Sequence, residues 1–146
     1  MDAQANKQII MDGFEEFENG DLPQMMERFH DDAEWISPES ESVPFAGSFH
    51  GRSEVERFFA ELVASTEPIR FVPTAFIAED DKVVVTGQAT WRVRATGAHY
   101  DSLWVNVFTL RDGKVIRTDA YYDSAPVERA FRPLQPAQAR APGLRH

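Results

Sequence analysis

Cysteine is absent from this 146-residue chain. That excludes disulfide staples, thiolate nucleophiles and cysteine-based zinc sites. Basic residues are scarce: 15 Lys and Arg stand against 24 Asp and Glu, a net charge of −9. Phosphate backbones and anionic membrane surfaces both need clustered Lys and Arg, so neither nucleic acid nor a membrane is an expected partner. No apolar run approaches the roughly 20 residues that span a bilayer. Met1-Asp2-Ala3-Gln4 lacks the basic and apolar start of a secretory signal, so the expected location is the cytoplasm. The 4 histidines show no His-x-His or His-x-x-x-His spacing, and no metal is expected. Gly47 and Gly51 sit in no Gly-Lys-Ser or GxGxxG pattern, so no phosphate loop is present and no cofactor is expected.

What is present is apolar and aromatic. The hydrophobic fraction is 42% and the aromatic fraction 12%, too much for a disordered chain. The length suits one domain with one core and room for a ligand cavity. The acidic excess is local. Residues 1–66 carry 4 basic and 15 acidic groups, a net −11, whereas residues 124–146 carry 4 and 1, a net +3. A solvated helical surface explains such a bias.

Helix signals dominate the first third. Ile10, Phe14 and Phe17 share one helical face, and Gly20 suits the left-handed position after the helix. Asp21 with Gln24 three residues on marks a second start. Leu22, Met25, Met26 and Phe29 give that helix its apolar side. It is expected to end near His30, where an imidazolium suits the helix dipole. Ala33 to Ser37 reads as a short strand, and 38–50 as a polar loop containing Pro and Gly. Ser53 and Glu56 form a Ser-x-x-Glu start for a third helix, with Val55, Phe58, Phe59, Leu62 and Val63 as its apolar stripe.

The second half reads as sheet. Runs rich in Val, Phe, Thr, Trp and Tyr cover about 69–78, 82–94, 99–111 and 114–122. Asp80-Asp81, Thr96-Gly97 and Asp112-Gly113 separate them, and Asp-Gly between alternating runs is a strong hairpin signal. Tight turns between consecutive strands imply an antiparallel meander. The expected fold class is α+β: three N-terminal helices packed on a curved antiparallel sheet. The domain is expected over 1–131, followed by a Pro-rich tail over 132–146 that is expected to be mobile.

Several segments, in order, carry a resemblance. They are Phe17-Glu18-Asn19-Gly20-Asp21, Phe29-His30-Asp31-Asp32-Ala33-Glu34-Trp35, Pro44-Phe45-Ala46-Gly47-Ser48-Phe49-His50-Gly51-Arg52, and Trp104-Val105-Asn106-Val107-Phe108-Thr109-Leu110-Arg111-Asp112-Gly113-Lys114-Val115. Together they resemble the SnoaL-like polyketide cyclase and ketosteroid isomerase group of the NTF2-like superfamily, over about residues 5–131. The resemblance implies a cone-shaped pocket between sheet and helices, and a homodimer formed through the sheet. It does not single out a reaction, because this fold hosts isomerases, cyclases, hydrolases, dehydratases and binders.

The group's chemistries can be set against the residues. Ketosteroid isomerases use a carboxylate base and an oxyanion hole made of a Tyr and a protonated acid. By ungapped matching those positions fall on Ser37, Gly13 and Asn106. All three differ, and a serine with nothing to activate it does not take a carbon-bound proton near neutral pH. The Asp on the last strand of the group's epoxide hydrolases falls on Ala120; neighbouring Asp119 points to the other face.

Asn106 can still donate to a carbonyl or enolate oxygen. It shares a strand face with Trp104 and Phe108, and the resemblance puts that face in the pocket. Bonding of Asn106 to nearby backbone or water is the competing reading. Tyr122 shares the face of Thr118 and Ala120 and offers an apolar wall with one polar tip. Asp123 reads as a turn or cap residue. Trp35 and Trp104 fit either core or ligand wall. The face of Trp91, shared with Val83, Val85, Gly87, Ala89 and Val93, meets either the helices or a second subunit.

The candidate polar residues are thus Asn106, Tyr122 and Ser37. The candidate ligand walls are Phe14, Trp35, Phe59 and Trp104. The expected ligand is a small apolar carbonyl compound. It is either turned over by an isomerase-, cyclase- or lyase-type enzyme without metal, or held by a non-catalytic binder. A protein-interaction module is the third possibility.

Overall fold

A computed structural model describes residues 2–133. The element order is α1 (Ala3–Glu18), α2 (Leu22–Met26), β1 (Phe29–Ile36), β2 (Ser48–His50), α3 (Arg52–Ser65), β3 (Thr66–Glu79), β4 (Lys82–Val93), β5 (His99–Arg111), β6 (Lys114–Tyr122) and α4 (Ser124–Phe131). The expected tail at 132–146 lies, beyond residue 133, outside the described residues.

Local chemistry starts and stops the helices. The Asp2 carboxylate accepts from the Ala5 N–H at 2.7 Å and opens α1. Asn19 caps its C-terminus, and Gly20 takes φ 77°, the left-handed geometry that glycine adopts without a Cβ clash. Asp21 accepts from the Gln24 N–H at 3.3 Å to open α2. Asp123 accepts from the Ala125 N–H to open α4, which is the cap role its position implied. The helix α4 itself was not anticipated.

Two helix boundaries differ from expectation. The second helix closes at Met26, and Phe29 begins β1, buried and paired with Val115. The spacing 22, 25, 26, 29 serves a helix face, but the final Phe belongs to the strand. His30 therefore does not sit at a helix end. Its Nδ1 accepts the Asp32 N–H at 3.0 Å inside the irregular stretch between Phe29 and Glu34. The third helix starts at Arg52 behind Gly51, which has no side chain to cap it, so the Ser53–Glu56 box does not form. Glu54 reaches back instead and accepts the His50 N–H at 2.8 Å. Val63, counted in the apolar stripe, is exposed.

The sheet order is β2-β1-β6-β5-β4-β3. The four long strands form the expected meander, and Asp112 and Gly113 both take positive φ at its last turn. The sheet is not wholly antiparallel, however: β1 lies parallel to β6. Local turn signals report only consecutive strands, so this pairing across some 80 residues of chain was invisible to them. The short β2, hidden in the loop at 38–50, pairs with β1 and buries Phe49. At the other end β3 is an edge strand whose register shifts beside Pro68 and Pro73, where a missing N–H is tolerated.

One face of the sheet carries the helices. Along β4, Val83, Val85, Ala89, Trp91 and Val93 are all buried, so Trp91 faces the helices. On the outer face Leu103 and Tyr121 are exposed by 78% and 57%. Among the described residues no helix is long and apolar enough to cross a membrane.

Candidate functional site

The inner face of the sheet and the helices enclose a cavity of about 150 Å³. Every candidate polar and wall residue named from the sequence lines it. Phe14 of α1, Trp35 of β1, Phe59 of α3 and Trp104 of β5 supply walls. Asn106, Tyr122 and Ser37 supply polar atoms.

Strand alternation puts Tyr100, Ser102, Trp104, Asn106 and Phe108 on one side of β5, and all five line the cavity. Register decides where there is room. Asn106 lies between Val85 and Ala120 on the neighbouring strands, and Ser102 lies beside Ala89. These short neighbours leave the Asn and Ser side chains uncrowded. Trp104 has Gly87 on one side and Tyr122 on the other. The missing side chain at Gly87 lets the indole lie against the sheet. Phe14 stacks on the indole at 5.7 Å and 4°, and Phe71 at 5.3 Å and 13°. A second cluster joins Trp35 to Phe58 at 4.6 Å and to Phe59 at 5.1 Å. Offset and edge contacts of this kind add to simple burial.

The polar atoms are mostly donors. The Trp35 indole N–H donates to Ser37 Oγ at 3.1 Å, leaving the serine proton to point elsewhere. The Trp104 Nε1 is buried with no hydrogen-bond partner among the described residues. Burial pushes the Tyr122 phenol up to about 12. Burial, with the nearby Tyr122, raises Tyr100 beyond the usual tyrosine range. Both phenols are therefore neutral donors at physiological pH. Among the described residues that line the cavity there is no Asp, Glu or His.

Four lining residues with polar side-chain atoms were not foreseen as site residues. Tyr100 and Ser102 follow from extending the Trp104–Asn106–Phe108 alternation two steps back. Trp91 needed the face of β4. Arg28 was hidden by the misplaced end of the second helix. Its Nε and Nη2 donate to the two Glu16 oxygens at 2.8 and 2.7 Å. That hydrogen-bonded carboxylate raises the guanidinium above its ordinary value, against the opposing cost of burial.

The phenols carry a pH prediction. Both hold their protons more tightly folded than unfolded, so the folded state binds more protons above the ordinary tyrosine value of about 10. Stability is fully kept below pH 10 and falls as pH rises from there through the folded values. Each tyrosine contributes a slope of about 1.4 kcal/mol per pH unit in that window. Urea melts at pH 8, 9.5 and 11 test this. Tyr100→Phe/Tyr122→Phe should flatten the alkaline fall, and an identical fall in that variant would refute the assignment.

The family described as SnoaL-like domain matches residues 12–118 of the chain. No curated protein matches it. An NTF2-like protein from Burkholderia xenovorans is 30% identical, over 90% of this chain and 99% of that one, with a TM-score of 0.82. TerC, co-crystallised with polyporic acid, is 26% identical over 87% of this chain and 98% of its own, with a TM-score of 0.76. A candidate SnoaL-like polyketide cyclase from Mesorhizobium loti shares the fold at 18% identity, over 79% and 97% of the two chains, with a TM-score of 0.67.

Proposed function

This chain belongs to the SnoaL-like domain family of the NTF2-like fold, and from that premise we propose that its cavity binds a small, flat, apolar carbonyl compound. One observation carries the reading: an aromatic-walled cavity with a few neutral polar groups able to donate hydrogen bonds, and no lining carboxylate or imidazole. Flat rings suit walls built from stacked Phe and Trp. Donors without protein partners suit a ligand that presents oxygen acceptors, because a buried donor left unpaired costs about 1–3 kcal/mol.

The donor set also bears on chemistry. Asn106 and Tyr122 can polarise a carbonyl or steady an enolate. No lining carboxylate or imidazole is placed to take the proton that would form one. The chain's own side chains thus support binding and carbonyl polarisation. They do not support the base-driven proton shuttle of ketosteroid isomerases. Turnover of isomerase or cyclase type would draw on those same donors, with the base coming from the substrate or from water.

The test uses 2-acetylnaphthalene, a flat ketone, as probe. Trp35, Trp91 and Trp104 all line the cavity, so their emission reads occupancy directly. The expected result is saturable quenching. Tyr122→Phe, which keeps the ring and removes one donor, should weaken binding about three- to tenfold, the worth of roughly one hydrogen bond. Quenching that rises linearly without saturation, or that ignores the Tyr122 change, would overturn the proposal.

A further inference from the structure

Gly13 lies in the middle of α1 and lines the cavity. Neither backbone nor packing requires a glycine there. Its φ is not positive. A Cβ built on it would meet only Arg28 Cδ, at 3.5 Å, an ordinary contact. A mid-helix glycine costs stability relative to alanine, because it loses more backbone freedom on folding. What the missing side chain does supply is cavity space, directly beside the stem of Arg28.

The Arg28 head is held in place there. Glu16 takes its Nε and Nη2, and Asp12 stands 4.0 Å from the same Nη2. The Nη1 donors have no hydrogen-bond partner among the described residues. A guanidinium fixed through one edge presents its remaining donors with little entropy left to lose. Glu16 and Asp12 offset its charge, so the ligand atom that suits it is an oxygen acceptor and need not be an anion.

We propose that Gly13 and Arg28 form a second polar subsite, which takes an oxygen acceptor on another part of the ligand; the Arg28 carbonyl accepts the Val115 N–H at 2.8 Å, five residues along β6 from Ala120, the neighbour of Asn106. The inference rests on the reading of the cavity as a carbonyl-ligand site and adds to it that the ligand carries a second oxygen acceptor. Gly13 is the specificity-determining residue, because any larger side chain closes the approach to Arg28.

The test compares 2-acetylnaphthalene with 2,6-diacetylnaphthalene, which adds a second carbonyl on the far ring. Wild-type protein should bind the diketone at least about tenfold more tightly, as expected for a hydrogen bond to a charged donor. Gly13→Leu should bring that ratio to about one. Arg28→Gln/Glu16→Gln, which replaces the ion pair by two amides and leaves no lone buried charge, should do the same. Gly13→Ala should raise the melting temperature by about 2–4 °C yet lower the ratio, and a purely structural role for Gly13 does not give those opposite signs. A wild-type ratio near one, or a tenfold ratio kept in Gly13→Leu, overturns the subsite and leaves the cavity reading standing. If neither probe binds wild-type protein, the cavity reading falls and the subsite falls with it.

Discussion

Gly87→Ala is expected to destabilise the protein by about 3 kcal/mol, the upper part of the range for overpacking a core, and to lower its melting temperature by roughly 10 °C. The added Cβ would overlap the six-membered ring of the Trp104 indole, with two ring carbons at 2.5 and 2.7 Å. The indole has no easy retreat, since Phe14 and Phe71 are stacked on it. Moving it would break both contacts and reshape the cavity wall. A double-mutant cycle gives the sharpest check. The ring atoms that clash belong to the part of the indole a phenylalanine does not reproduce. Gly87→Ala/Trp104→Phe should therefore regain most of the lost stability, although Trp104→Phe alone costs some. A Gly87→Ala protein melting within 2 °C of wild type would show that the indole is not pinned.

The largest effect on binding is expected from Asn106→Leu. The two side chains are close in shape, and the change removes the amide that sits in the hollow between Val85 and Ala120. In the free protein the loss should be small in stability terms, because an apolar residue replaces a polar one in an apolar cavity. In the complex a ligand carbonyl would be buried without that donor, a cost of about 1–3 kcal/mol, or roughly ten- to a hundredfold in affinity. Calorimetric titration with 2-acetylnaphthalene, paired with a urea melt, separates the two quantities. If affinity and stability fall together, Asn106 belongs to the scaffold. If affinity holds while stability rises, the carbonyl docks elsewhere.

These two positions illustrate what local sequence can reveal. Asn106 was legible because strand alternation ties it to Trp104 and Phe108, and the same arithmetic reached Tyr122. Gly87 was legible only as one member of an apolar face. That a tryptophan lies opposite it depends on the register of two strands, which alternation within one strand does not fix. The hairpin turns announced themselves through Asp112-Gly113, whereas the parallel pairing of β1 with β6 has no local signal at all. Arg28 was lost at a boundary. The residues around it fit a helix face equally well, and tertiary pairing of Phe29 with Val115 decided for the strand. Gly13 was read as a missing tyrosine. Only the open space beside Arg28 gives the absence of a side chain there a purpose.

The two rims of the sheet have a consequence for behaviour at high concentration. A sheet that ends in a long, regular strand invites another chain to add to it, and that is how ordered aggregates begin. Here one rim is the three-residue β2 and the other is β3, whose ladder is interrupted beside Pro68 and Pro73. A newcomer strand at β3 would meet two positions with no N–H to offer and two breaks in register. Together with the chain's strong net negative charge, this favours a protein that stays dispersed when crowded, despite an interior rich in phenylalanine and tryptophan.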